Sequence, residues 1–324
     1  MLINSPKMLL NFFLTSRRIF LKYSLLTGLT CVSAISINAV ATAQNDSSPK
    51  VVTTFLPIHL FTQAVVGDTG QVDILISPGT EVHDYQATPD DVKLLAQANV
   101  LVENGLGIEE FLAGLVTNAG NSKLQQIDAS EGITVIKEEE HEHEHEEEEE
   151  HGHHHEGGNP HVWLDPVLAQ QQVATIRDRL IAINPDNADN YRTNGSAYIQ
   201  QLQQLDGEFK QKLAPVKGCN FITFHDAFPY LAQRYGLKQE AIVEIPEDSI
   251  TPKDIQRVQK AANQYQVKAL LTEPGIEDKR IQQISSDLNL PLEAIDPLES
   301  GKTDPQYYFQ VMRSNLAALE RACK

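Results

Sequence analysis

Short apolar runs alternate with stretches of helical period along most of this chain. Val51–Phe55, Val72–Ile76 and Val100–Glu103 have the length and β-branched content of strands. Between the last two, Thr88-Pro89-Asp90-Asp91 reads as a helix start. It offers a hydroxyl at the N-cap, proline at the first helical position and two carboxylates in the first turn, opening a helix to about Ala98. The pattern then recurs. Asn220–Phe224, Ala241–Ile245, Ala269–Thr272 and Leu292–Ile295 read as strands. Ala227–Tyr235, Thr251-Pro252 to about Tyr265, Asp278–Leu288 and Pro305–Cys323 read as helices. Such alternation, twice over, predicts an α/β protein of two lobes, each a parallel sheet flanked by helices.

From Pro166 to about Leu213 no strand pattern interrupts the helical one, and Asn184-Pro185-Asp186 breaks it once. Beyond that break, Tyr191, Tyr198, Leu202 and Leu205 recur near helical spacing. A helix over Asn187–Leu213 spans about 40 Å at the standard rise. The expected organisation is an N-terminal lobe over 44–185, a rigid linking helix over 186–214 and a C-terminal lobe over 215–324.

Two segments depart from this pattern. Residues 1–43 hold Lys7, Arg17, Arg18 and Lys22 and no acidic residue, then an apolar run Tyr23–Val40, then Ala41-Thr42-Ala43. This is the three-part layout of a cleaved export signal. Ser16-Arg17-Arg18-Ile19-Phe20-Leu21-Lys22 resembles the twin-arginine signal, which implies export of a folded protein and a periplasmic location. The second departure is Glu138–Glu156, eleven Glu and seven His (His141, His143, His145, His151, His153, His154 and His155) around Gly152. Nothing in it can form a core, so a disordered surface loop is expected, with weak metal binding through mixed His and Glu donors.

Charge narrows the functions. The formal net charge is −18, and loss of the four cations of the signal takes it to −22. Such a chain does not bind nucleic acid through its net field, whereas it attracts cations. Cys219 and Cys323 remain after removal of the signal, and in an oxidising compartment one even pair points to one disulfide.

Four of the 11 histidines lie outside the Glu/His segment. His59 falls in a helical stretch and reads as structural. His83 follows the strand Val72–Ile76 through a Pro-Gly turn, His225 follows Asn220–Phe224 directly, and His161 stands just before a helix start. Asp296 follows Leu292–Ile295. Carboxyl ends of parallel strands line ligand crevices. Three imidazoles and a carboxylate suit Zn²⁺, whereas Ca²⁺ and Mg²⁺ favour oxygen shells. Asp84, Asp165, Asp226 and Glu273 are candidates for orienting the rings. The same residues, taken alone, also fit a zinc hydrolase with an open fourth position, and the Glu/His segment fits storage.

Three motifs add to this reading. Glu81-Val82-His83-Asp84-Tyr85, Asn159-Pro160-His161-Val162-Trp163-Leu164-Asp165-Pro166 and Phe224-His225-Asp226-Ala227-Phe228-Pro229-Tyr230 resemble the histidine motifs of zinc-uptake (ZnuA-type) solute-binding proteins of metal-ion ABC transporters. Asp296-Pro297-Leu298 resembles that family's fourth position. The resemblance covers about Val51–Cys323. It implies two α/β lobes linked by a rigid helix, metal in the cleft, and His83, His161 and His225 as ligands. The fourth ligand is Asp296, water or another carboxylate. The manganese branch has a carboxylate where this chain has His225, so the resemblance favours zinc. It further implies a carrier and not an enzyme, a monomer, with a membrane permease as partner.

Overall fold

The computed structural model describes residues 49–136, 158–243, 251–265, 267–274 and 279–324. The expected export signal and the Glu/His segment Glu138–Glu156 lie outside the described residues.

Eight strands form two sheets. β1 (Val51–Thr53), β2 (Val72–Ile74), β3 (Val100–Glu103) and β4 (Gln125–Asp128) stand in the order β2-β1-β3-β4. β5 (Asn220–His225), β6 (Lys238–Val243), β7 (Leu270–Thr272) and β8 (Leu292–Ala294) stand in the order β6-β5-β7-β8. Every pairing is parallel. The two-lobed α/β expectation is therefore borne out, and the two sheets share one topology. The central strands β1, β3 and β5 are almost wholly buried, which is why they read as continuous apolar runs. In each sheet the chain reverses its direction of travel between the first strand and the third, and there the crevice opens at the strands' carboxyl ends. Those ends carry Thr54 and Asn104 in one lobe, His225 and Glu273 in the other.

Nine helices pack around the described sheets. α1 (Leu56–Val66) is buried on nearly every side, His59 included. α2 (Pro89–Gln97) begins on the expected cap: the Thr88 hydroxyl accepts from Asp91 N–H and the Asp91 carboxylate accepts from Thr88 N–H. α3 (Leu112–Ala119) follows β3. α4 (Pro166–Ile183) and α5 (Ala188–Leu213) are the long pair. α5 buries Tyr191, Gly195, Tyr198, Leu202, Leu205, Phe209 and Leu213, a stripe at three- and four-residue spacing. Gly195 sits where a Cβ would come within 2.9 Å of the Arg177 side chain, so it lets α4 and α5 approach closely.

α6 (Pro229–Tyr235), α7 (Pro252–Tyr265), α8 (Lys279–Leu288) and α9 (Tyr307–Ala322) belong to the second sheet. α5 packs against α1 and α4 and against α9 and α6, so one large apolar cluster runs through both halves, with a second on the β5–β7 sheet. Trp163 lies in the large cluster, fully buried, donating Nε1–H to Pro297 O at 2.8 Å and accepting from Tyr308 Oη at 2.7 Å. Among the described residues no helix is long and apolar enough to cross a membrane.

Helix α3 was not among the expected elements, and the strands that differ from the sequence pattern sit at sheet edges. β4 was not expected, because Gln125, Gln126 and Asp128 are exposed and only Ile127 is buried. β6 starts at Lys238, three residues earlier than expected: an edge strand tolerates the exposed Lys238, and the partly buried Gln239 turns its amide to Thr223 Oγ1 and His225 O.

Cys219 and Cys323 form the expected disulfide, with a Cα–Cα distance of 5.7 Å. It ties the residue before β5 to the end of α9.

Candidate metal centre

Three turns and one strand end bring the donors together. His83 lies in the loop after β2, His161 just before the 3-10 turn Val162–Leu164 that leads into α4, and His225 is the last residue of β5. Glu299 lies in the loop between β8 and α9. One donor atom from each of these four residues lies within 4.8 Å of every other. His161 Nε2 and His225 Nε2 are 3.3 Å apart, and His161 Nε2 is 3.9 Å from a Glu299 carboxylate oxygen. Four donors about 2.0–2.2 Å from a central ion in a tetrahedron stand roughly 3.3–3.6 Å from one another. The histidine pair already has that separation.

Two of the three rings are turned by identified neighbours. His225 Nδ1 is 2.6 Å from Glu273, whose other oxygen accepts His225 N–H at 3.2 Å. With its proton on Nδ1, the ring keeps a lone pair on Nε2. Asn159 Oδ1 accepts His161 N–H at 3.1 Å and lies 3.1 Å from the same ring's Nδ1, which again leaves Nε2 facing the cluster. His161 and His225 are fully buried, and Glu273 and Asn159 nearly so. His83 is half-buried and Glu299 lies toward the cluster's more open side, its side chain 14% exposed.

The sequence-predicted residues meet different fates. His83, His161 and His225 come together. Asp296, expected as the fourth carboxylate, is not in the group. Its Oδ1 accepts Leu298 N–H at 2.7 Å, and its backbone is held on both sides by Asn315. That turn sets Leu298, fully buried, at φ 68° and brings the next side chain, Glu299, to the histidines. The difference in placement has a physical cause. A loop holds its carboxylate wherever its backbone turns, and here the turn consumes Asp296 and presents the residue three positions on. Burial raises the Asp296 pKa, with repulsion from Glu273 adding to it and the Leu298 hydrogen bond opposing.

Of the four carboxylates expected to orient rings, Glu273 does so. Asp165 instead caps α4 through Val167 N–H and pairs with Arg234 at 2.7 Å, Asp226 accepts from Asn159, and Asp84 is exposed. Asn159 was missed because an amide two residues before a histidine carries no charge signal. The seven histidines of Glu138–Glu156 lie outside the described residues. His59 stands apart, with Nδ1 3.2 Å from the Thr53 hydroxyl. Burial lowers its pKa, against a smaller raising effect of Asp73.

Two parallel-sheet lobes that present imidazoles and a carboxylate to one another across a shared crevice are the layout of a two-lobed binding protein for a small cation. The chain belongs to the family described as zinc-uptake complex component A, periplasmic, which it matches over residues 51–322. It is 35% identical over 277 residues to the high-affinity zinc uptake system protein ZnuA of Bacillus subtilis, covering 83% of this chain and 86% of that one. It is 33% identical over 283 residues to the zinc-binding lipoprotein AdcA of Streptococcus pneumoniae, covering 86% of this chain and 56% of that protein, and so spans little more than half of AdcA. The Zn(II)-bound ZnuA-like domain of the same AdcA superposes with a TM-score of 0.70 at 29% identity, covering 85% of this chain and 99% of that domain.

Proposed function

We propose that this protein captures Zn²⁺ outside the cytoplasm and delivers it to the membrane permease of an ABC importer. The observation that carries the reading is the convergence of His83, His161, His225 and Glu299 with donor atoms mutually within 4.8 Å. Three neutral imidazoles and one carboxylate favour a borderline-soft, four-coordinate ion over the all-oxygen, higher-coordinate shells of Ca²⁺ or Mg²⁺. An imidazole from His225, rather than a further carboxylate, supports zinc over manganese. Zinc is cargo here. The site holds it with ligands pre-turned by Glu273 and Asn159, and the protein does no chemistry on it.

The relatives named for zinc uptake and zinc binding support the same reading. Residues 1–43 would direct export and be removed, and the family's description as periplasmic supports that location. The carrier would work as a monomer, since one permease takes one ion from one cleft. The histidines of Glu138–Glu156 would add several weak, fast-exchanging ions beside the tight one. They must be neutral to bind, so those weak sites would empty as pH falls through about 6–7.

The test is competition between Zn²⁺ and Mn²⁺ for the mature protein, read by equilibrium dialysis, together with zinc accumulation by cells that lack the gene. One tight equivalent of Zn²⁺, not displaced by excess Mn²⁺, and a zinc-dependent growth defect are expected. Tight Mn²⁺ binding, or normal zinc uptake without the protein, would overturn the proposal.

A further inference from the structure

Between the second and third histidines lies a set of hydrogen bonds that neither the donor cluster nor the ring-orienting contacts require. Asn159 is 1% exposed, and every polar group on it is engaged. Its N–H donates to Ile136 O at 3.1 Å. Its side-chain oxygen holds His161, as above. Its side-chain amide donates to Asp226 O at 2.6 Å and approaches the Asp226 carboxylate at 3.3 Å. Its carbonyl accepts from Tyr230 Oη at 2.6 Å, and that same phenol oxygen accepts Ile136 N–H at 3.1 Å. Tyr230 therefore donates to one residue and accepts from the other, and both lie on the far lobe.

Asp226 and Tyr230 both belong to the segment that leaves β5, one and five residues after His225. The clamp thus runs from the residue that turns His161 to the chain that carries His225. The neighbouring glycine is required by the same geometry. Gly158 has φ +81°, and a Cβ there would lie 2.7 Å from Ile136 O. The Tyr230 ring is 4% exposed and packs against Ile133 and Val162, so its position is set by apolar contact independently of the hydroxyl.

We infer that Tyr230 is a positioning residue for metal binding: its hydroxyl holds Asn159 in place from the opposite lobe and so sets the approach of the His161 ring to the His225 ring. The inference rests on the zinc-site reading above. A hydrogen bond of 2.6 Å on a buried carbonyl leaves that carbonyl unsatisfied when the hydroxyl is removed, so Asn159 should relax and His161 with it. Outer-shell partners of a metal-bound histidine are commonly worth about 10–100-fold in affinity.

The experiment compares Tyr230→Phe with Tyr198→Phe. Tyr198 is also buried and donates its hydroxyl to a backbone carbonyl, Pro305 O at 2.9 Å, and neither residue belongs to the donor cluster or to the contacts that turn its rings. Zinc affinity by chelator competition, the visible spectrum of the Co²⁺-loaded protein and the thermal midpoint of the metal-free protein are measured for each. Both variants should melt a few degrees lower, by a similar amount. Only Tyr230→Phe should lose about 10–100-fold in zinc affinity and shift the Co²⁺ absorption bands. In an Asn159→Ala background, Tyr230→Phe should cost no further affinity, because the residue it acts through is gone.

Equal affinities and spectra for the parent and Tyr230→Phe would overturn the inference, as would full additivity with Asn159→Ala. Should Tyr230→Phe fail to fold, Asn159→Ala alone decides: parental affinity and an unshifted spectrum in that variant overturn it. His161→Ala separates the two levels. If it binds zinc like the parent, the zinc-site reading fails. If it loses binding while Tyr230→Phe keeps it, only the role of Tyr230 fails.

Discussion

At the scale of single residues, the fourth donor is the most discriminating position. Asp296 and Glu299 share a loop and a charge, yet the backbone gives them different tasks. Asp296 closes a turn on Leu298 N–H, and Glu299 faces the histidines. Glu299→Gln is therefore expected to weaken zinc binding by about a hundredfold, since it exchanges a charged donor for a neutral one. Asp296→Asn keeps an oxygen for Leu298 N–H and should cost less than about tenfold. Chelator competition on the two variants checks the order, and a larger loss at Asp296 would return it to the ligand set.

His59 gives the pH dependence. Its folded pKa is depressed, chiefly by burial. A depressed histidine favours the folded state while neutral, so that contribution is present above the unfolded value near 6.5 and is lost as pH falls through it. The metal-free parent should lose more of its thermal midpoint between pH 7.5 and pH 5.5 than His59→Gln does. Parallel curves for the two would remove His59 from the account.

At the scale of elements, the disulfide has the clearest consequence. It closes a separation of 104 positions and ties β5, which ends in His225, to α9. In the chain-entropy view a loop of that length is worth roughly 3–5 kcal/mol. The Cys219→Ser/Cys323→Ser pair should unfold at correspondingly lower denaturant. Metal affinity should change little, because Glu273 and Asn159 hold the rings without it. Thiol titration of the unreduced protein should find no reactive cysteine beyond any in residues 1–43.

Elements also show what the sequence made legible. The buried central strands and the capped helix at Thr88 were readable, since continuous apolar runs and a hydroxyl–proline–carboxylate order each have one physical cause. The edge strand β4 was not, because one buried residue in four leaves no period to see. The three histidines were readable, each inside a motif: His225 at a strand end, His83 beyond the turn that follows a strand, and His161 just before a helix start. Glu299 was hidden because it stands three residues past the position that sequence reasoning singled out, and only the φ 68° turn at Leu298 explains the offset. Asn159 and Tyr230 were hidden because neither is charged and their partners lie 67 and 71 residues away.

At the scale of the whole molecule, α5 and the Trp163 region carry one large apolar cluster across the two lobes. Cross-lobe bonds continue into the site itself: Gly79 N–H to Glu299 O, Trp163 to Pro297, Tyr230 to Asn159 and Arg234 to Asp165. Preorganised donors of this kind bind a cation without first ordering the chain, which favours affinity. The central claim is the proposal that the tight zinc site is made by these described residues and takes no ligand from Glu138–Glu156. Its most direct test is zinc titration, against a chromophoric chelator at pH 7.5, of the chain lacking residues 138–156. One tight equivalent, abolished by His161→Ala, with the weaker equivalents of the parent gone, is the predicted result. A deleted chain with no tight equivalent, or a tight equivalent that survives His161→Ala, would contradict it.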